Sequence, residues 1–261
     1  MTRYERWNAL LELLARDGRL EVEQAARELG VSSATIRRDL DQLAQQQMLT
    51  RTRGGAVAHS VSYDLPLRYK TARRAPEKQR IGAAAAGLVA PGSIVGLNGG
   101  TTTTEVARAI GTRSDLHPST GAPGVTIVTN ALNIANELVV RPHVKIVVTG
   151  GVARPQSYEL IGPLATGILN EVSLDLAIIG VDAIDAEQGA TADHEGEAAI
   201  NRLMASRARQ VVVVADSSKL GRCAFARICQ VDEIDVLITD TAAPEKLTER
   251  FVEAGVRVMR V

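Results

Sequence analysis

Cysteine is nearly absent from this chain. Only Cys223 and Cys229 occur in 261 residues, too few for a disulfide framework, and their six-residue spacing is neither a CxxC pair nor a zinc pattern. Two reduced, packed thiols are expected. Aromatic side chains make up 3% of the residues, which weighs against the stacking platforms that hold single-stranded nucleic acid. Long hydrophobic runs are missing too. The longest, 81–90 and 211–215, fall far short of the ~20 residues of a membrane span, and no secretory pattern is recognisable. A cytoplasmic protein with no membrane partner is expected. The chain also lacks net charge, with 30 basic and 30 acidic residues, which at first argues against a nucleic-acid partner.

What is present changes that argument. Hydrophobic residues at 45% and charged residues at 23% describe a folded chain, and its length suits one large domain or two smaller ones. The charge is unevenly spread. Residues 1–80 carry 15 Lys and Arg against 10 Asp and Glu, and the remainder carries 15 against 20. A basic head on an acidic body points to an anion-seeking N-terminal module.

That head reads as three helices. Over 4–16, Trp7, Leu10, Leu11 and Leu14 recur at helical spacing, and Asp17-Gly18 ends the pattern. A short helix over 22–29 stops at Gly30, and Ser32 or Ser33 caps a third helix running to about residue 46. This is helix-turn-helix spacing. In the third helix Ile36, Leu40 and Leu43 form the buried stripe. Ala34, Arg38, Asp41 and Gln45 then face outward, with Thr35 and Arg37 on the flanks. Hydroxyls and arginines suit phosphates and guanine edges in a major groove; the alternative is that Arg37 and Arg38 pair with Asp39 or Asp41 on their own helix. Residues 48–57 alternate around Gly54-Gly55 and read as a β-hairpin, with Arg51 and Arg53 expected on one face of its first strand and on the DNA backbone.

Residues 59–76 show no periodicity and read as a basic linker. Beyond it, β-branched runs alternate with helical patterns, the signature of a mostly parallel sheet covered by helices. Strands are expected over 93–97, 125–129, 144–148, 174–180, 211–215, 236–239 and 256–261. Helices are expected over 77–89, 103–110, 132–139, 162–171, 195–209 and 244–254. Ligands of such sheets bind beyond the carboxyl ends of strands. Those ends carry Asn98-Gly99-Gly100-Thr101-Thr102, Thr129-Asn130, Thr149-Gly150-Gly151 and Asp216-Ser217-Ser218-Lys219. The Gly-Gly-Thr-Thr turn opens a helix and is the expected anion site, by backbone N–H groups and hydroxyls. It is neither a Walker A loop nor a GxGxxG turn, so a single phosphate on a small molecule fits better than a nucleotide, and no cofactor is expected. Lys219 is either a counter-charge there or a solvated side chain. Asp193-His194-Glu195 with Glu197 reads as a capping acidic loop rather than a metal site, because neighbours on one loop rarely converge on an ion.

The run Val31-Ser32-Ser33-Ala34-Thr35-Ile36-Arg37-Arg38-Asp39-Leu40, then Leu43 and Arg51-Thr52-Arg53-Gly54-Gly55-Ala56, resembles the N-terminal signature of the DeoR family of bacterial transcription regulators. The body resembles the same family's sensor half, through Gly99-Gly100-Thr101-Thr102, Thr129-Asn130, Gly150-Gly151, Ser157 to Gly162, Asp216-Ser217-Ser218-Lys219 and Ile238-Thr239-Asp240. The resemblance implies an α/β protein. Residues 1–58 would be a winged helix-turn-helix, 59–76 a linker, and 77–261 a sensor and oligomerisation domain similar to ribose-5-phosphate isomerase. It implies a repressor of carbohydrate-metabolism genes that binds a double-stranded operator as a homodimer or homotetramer and is released by a phosphorylated sugar. Ser32, Ser33, Thr35, Arg37, Arg38, Arg51 and Arg53 would contact DNA. Asn98, Gly99, Gly100, Thr101, Thr102, Asn130, Gly151, Glu197 and Lys219 would bind effector. Two positions depart from the family pattern: Asn98 stands where Asp is frequent, and Asn201 where a Lys often follows the acidic residue. The rival reading is a sugar-phosphate isomerase or deaminase, with a base among Asp182, Asp193, Glu195 and Glu197; the winged-helix signature argues against it.

Overall fold

The computed structural model describes residues 3–45, 49–57, 74–117 and 123–261. The chain divides into two compact units, Met1–Ala72 and Arg73–Val261.

In the first unit, helix α1 (Arg3–Asp17) leads through Gly18 into strand β1 (Arg19–Glu21), then α2 (Val22–Leu29), α3 (Ser33–Gln45), β2 (Thr50–Thr52) and β3 (Gly55–Val57). Gly30 stops α2 in the left-handed conformation, and its N–H reaches the carbonyls of Ala26 and Arg27. The apolar stripes meet in one core containing Trp7, Leu10, Leu14, Ile36, Leu40 and Leu43. Three short antiparallel strands in the order β1-β3-β2 form the wing. Strand β1 has three residues, too few for a visible alternation, and it escapes a periodicity reading. The hairpin is also built differently from the expectation. Thr52 pairs with Gly55, so the turn is Arg53-Gly54, with Gly54 at φ 85°. Arg53 therefore sits in the turn and does not share a strand face with Arg51. Residues 46–48, expected to hold the end of α3 and the start of the hairpin, lie outside the described residues, as does the expected linker up to residue 73.

The second unit begins earlier than expected, with α4 (Ala75–Ala86) carrying Pro76 in its first turn. There follow β4 (Ile94–Leu97), α5 (Thr101–Gly111), β5 (Val125–Thr129), α6 (Leu132–Leu138), β6 (Val144–Val148), β7 (Val152–Ala153), β8 (Leu160–Ile161), α7 (Thr166–Glu171) and β9 (Leu174–Gly180). The chain continues through β10 (Ala183–Asp185), β11 (Gly189–Ala192), α8 (Glu195–Ser206), β12 (Ala208–Val214), β13 (Ala226–Cys229), β14 (Val236–Thr239), α9 (Glu245–Glu253) and β15 (Arg257–Arg260). Seven strands pair in parallel in the order β15-β14-β12-β9-β4-β5-β6. All seven expected strands are present in this sheet.

Both faces of the sheet carry a hydrophobic core, as the apolar runs of its central strands require. In β9, Leu176 and Ile178 join one core with Ile81, Val106 and Ile110. Ala177 and Ile179 join the other, with Leu169, Met204 and Phe251. Two boundaries shift for identifiable reasons. Gly162-Pro163 opens a 3-10 turn before α7, shortening the helix expected over 162–171. Residues 208–210 belong to β12, because Ala208 and Gln210 pair with β9. The strand order reverses between β4 and β9, and the region beyond the carboxyl ends of strands at such a reversal is the usual ligand position in an open α/β sheet.

Candidate functional site

The first unit presents α3 and the wing. Ser32 caps α3: its hydroxyl accepts from the Thr35 N–H at 3.2 Å and lies 2.9 Å from the Thr35 hydroxyl. Ser33 donates to Glu23 at 2.8 Å, and Arg37 reaches the same carboxylate at 3.4 Å. Arg51 is held by Asp41 at 2.7 Å and by the Gly55 carbonyl, tying the wing to α3. Arg38 and Arg53 are exposed, and among the described residues neither has an ion-pair partner. The expected DNA contacts therefore fall into two kinds, those with partners inside the head and those presented bare.

Asp39 does not pair with the arginines of its own helix. It is buried, accepts from Arg6 and from the Trp7 indole N–H at 2.9 Å, and anchors α3 to α1. The hydrogen bonds that Arg6 donates to Asp39 are the main reason its guanidinium titrates above its ordinary range. A charged residue on the apolar side of an amphipathic helix is the signal that marks it.

In the second unit the candidate residues gather at the strand reversal. The Asn98 amide is buried and holds the Gly180 backbone from both sides, donating to its carbonyl at 2.9 Å and accepting from its N–H at 2.7 Å. That pair locks β4 to β9 at their ends. Gly100 caps α5 at φ 135°, a conformation only glycine adopts easily. Its carbonyl accepts from the Thr104 N–H and from the hydroxyls of Thr103 and Thr104. Thr101 and Thr102 keep hydroxyls without a hydrogen-bond partner among the described residues, beside the unsatisfied N–H groups of the first helical turn. Gly99 is required for a different reason: a Cβ there would lie 2.4 Å from Glu159 Cγ and 2.6 Å from Oε1.

The other strand ends join this arrangement unevenly. Asn130 is fully buried and its Nδ2 donates to Glu159 Oε2 at 3.1 Å. A single antiparallel bridge pairs Ala131 with Glu159, laying that segment over the carboxyl end of β5. Gly151, at φ 117°, packs against Ala165 and Ile161. Glu197 is buried and pairs with Arg154 at 3.0 Å. Lys219 is half-buried, 3.9 Å from Asp182, whose other oxygen accepts from the Asp193 N–H. Lys219 is thus paired with a carboxylate rather than purely solvated.

Sequence reasoning missed Glu159, Arg154 and Arg74. Burial, then the charge of Glu197, then that of Asp182, push the Glu159 carboxyl up to about 8, against the hydrogen bonds from Asn130 and Gly99. Arg74, read as part of a linker, donates to the Ser217 hydroxyl at 2.9 Å and lies 3.7 Å from buried Asp216. Asp216 in turn caps the turn before Lys219 through Ser218. Glu159 lies within the stretch from Ser157 to Gly162, where only its charge beside Leu160-Ile161 could have singled it out. Among the described residues, no three His, Cys, Asp or Glu side chains are grouped to hold a metal. Cys223 is exposed, while Cys229 is buried with its thiol pushed up to about 12 by desolvation. Among the described residues, no helix is long and apolar enough to cross a membrane.

A winged helix-turn-helix followed along the chain by a parallel α/β unit defines a two-part transcriptional regulator. Residues 6–61 match the DeoR-like helix-turn-helix domain, and residues 73–241 match the DeoR C-terminal sensor domain. The chain is 36% identical to the HTH-type transcriptional regulator GlpR of Haloferax volcanii, over 98% of this chain and 96% of that protein. It is 32% identical to the glycerol-3-phosphate regulon repressor of Escherichia coli, over 97% and 98%. The ribose 5-phosphate isomerase of Methanocaldococcus jannaschii aligns over 54% of this chain and 52% of its own at 20% identity, with a TM-score of 0.39. The chain belongs to the DeoR family of DNA-binding transcriptional regulators.

Proposed function

We propose that residues 1–58 bind a double-stranded operator, 59–76 connect, and 77–261 sense a phosphorylated sugar or related metabolite that releases the DNA. The observation that carries the effector half is the first turn of α5 at the strand reversal, where the Thr101 and Thr102 hydroxyls have no hydrogen-bond partner among the described residues, beside the helical N–H groups. Anions bind such turns by hydrogen bonds and by the helix dipole. That a relative is named as repressor of a glycerol-3-phosphate regulon supports a phosphorylated effector. Asn98 and Gly99 shape the site, Gly100 opens it, Asn130 and Glu197 border it, Gly151 turns the chain beside it, and Lys219 is the cation next to it.

On DNA, Arg38 reads bases from α3 and Arg53 contacts the backbone from the wing tip. Ser32, Ser33, Thr35, Arg37 and Arg51 position these groups and exchange internal partners for phosphate. One recognition helix is short, so adequate affinity calls for a homodimer or homotetramer on repeated half-sites, in the cytoplasm. Effector releases operator only by favouring one conformation, and a tenfold release needs about 1.4 kcal/mol of differential binding. Fluorescence anisotropy of labelled operator, titrated with sugar phosphates, tests the reading. Thr101→Val and Lys219→Ala raise the ligand concentration needed for release; an unchanged response in both variants defeats it.

A further inference from the structure

Glu159 is 3% exposed. Its carboxyl lies against the Gly99 α-carbon and accepts from Asn130 Nδ2. Glu197 and Asp182 both bear on it electrostatically. Glu197 is paired with Arg154 and Asp182 with Lys219. Glu159 has no cationic partner among the described residues. Beside it, the Asn130 Oδ1 is buried and accepts no hydrogen bond from the described residues, a condition native structures rarely tolerate without a ligand or water.

The strand-end site therefore has two unlike sides. The α5 turn and Lys219 supply donors and positive charge, which suit a phosphate. Asn130 Oδ1 and the Glu159 carboxyl supply acceptors, which a bare phosphate dianion leaves unsatisfied. Hydroxyl groups on a short carbon chain next to the phosphate satisfy both sides at once. We propose that Glu159, together with Asn130, is the specificity-determining contact of that site, taking the hydroxyl-bearing part of a phosphorylated ligand whose phosphate occupies the 100–102 turn. The assignment rests on the effector reading above.

Near pH 7 the Glu159 carboxyl is a neutral acid that both donates and accepts, since burial and Glu197 push it up to about 8. Above that value it becomes a third carboxylate beside Glu197 and Asp182 and repels an anionic ligand, with Arg154 and Lys219 already paired. Isothermal titration of the full-length chain tests this with inorganic phosphate, D-ribose 5-phosphate, D-fructose 6-phosphate and sn-glycerol 3-phosphate, near pH 7 and near pH 9. The wild-type chain binds at least one organic phosphate about tenfold tighter than inorganic phosphate, a margin of about 1.4 kcal/mol. Glu159→Leu removes that margin and leaves inorganic phosphate within about twofold. Glu159→Gln keeps the margin near pH 7 and abolishes its loss near pH 9. A Leu variant that retains the margin overturns the proposal and leaves the phosphate site standing. A wild-type chain that binds none of the four overturns both. If the Leu variant does not fold, the Gln variant decides: an undiminished fall near pH 9 overturns the proposal.

Discussion

The reading surface of the head and the strand-end site of the body use charge in opposite ways. In the head, Arg37 and Glu23 pair with both side chains more than half exposed, at 58% and 66%. In the body, Arg154 and Glu197 pair at 14% and 10% exposure. Exposed pairs are weak and screened, worth about 0–1 kcal/mol, so head arginines can leave an internal carboxylate for a phosphate at little cost. Pairs withdrawn from water are held in place, because separating them strands a desolvated charge. A surface that must fit many phosphates keeps exchangeable cations, whereas a site that must tell one small molecule from another keeps fixed ones. Asp39 is the exception within the head, and it is structural.

That exception gives the strongest test. Asp39→Ala leaves Arg6 and the Trp7 indole N–H without their carboxylate in a buried place, and the head loses about 3–5 kcal/mol. Thermal melts by circular dichroism report it as an early transition, and a change below about 1 kcal/mol would place Asp39 among the exchangeable charges.

The next effect belongs to the body. Glu159 has its folded pKa raised from an ordinary 4.5 to about 8. The unfolded chain therefore ionises first, and stability from the neutral acid is complete below about 4.5 and lost as pH rises toward about 8. Glu159→Gln cannot ionise, so it is more stable than wild type at pH 8 and loses that advantage near pH 4. Urea titrations at the two pH values check this; an advantage independent of pH would show that the carboxyl ionises freely in the folded chain.

Smaller effects come from the reading surface. Arg38→Ala costs about 1–3 kcal/mol of discrimination between operator and a mismatched duplex. Arg53→Ala weakens binding to all duplexes alike and lowers the slope of log affinity against log salt by about 0.9. Anisotropy titrations at several salt concentrations separate the two, and equal effects of both variants on specificity would erase the distinction between helix and wing. Smallest of all, Glu23→Gln changes stability by less than about 1 kcal/mol while raising non-specific DNA affinity, because Arg37 and Ser33 are released. A measured loss of affinity would mean that Glu23 holds Arg37 in its reading position.

Much of this was legible before any coordinates. The central strands of the main sheet announce themselves as apolar, β-branched runs buried on both faces, whereas the edge strands β6 and β15 are only partly buried. The outward set on α3 follows from one apolar stripe, and Ala34, Arg38, Asp41 and Gln45 are all exposed. Short strands such as β7 and β8, two residues each, are too brief to show a period. Arg53 was misplaced because a two-residue turn and a strand end read alike until pairing sets the register. Arg74 looked like one more linker cation because its partners, Ser217 and Asp216, lie more than 140 residues away in sequence.

The sequence by itself determined the two-part plan, the family, the apolar faces and the small polar residues at strand ends. These follow from local periodicity and from motifs whose chemistry is contiguous. Only the tertiary structure decided which polar groups were already engaged. Asn98 clamps Gly180, Asp39 holds Trp7, and Glu159 rests on Gly99 with no cationic partner among the described residues. Hydrogen bonding and desolvation depend on neighbours distant in the chain, so the character of a buried carboxyl is a property of the fold around it.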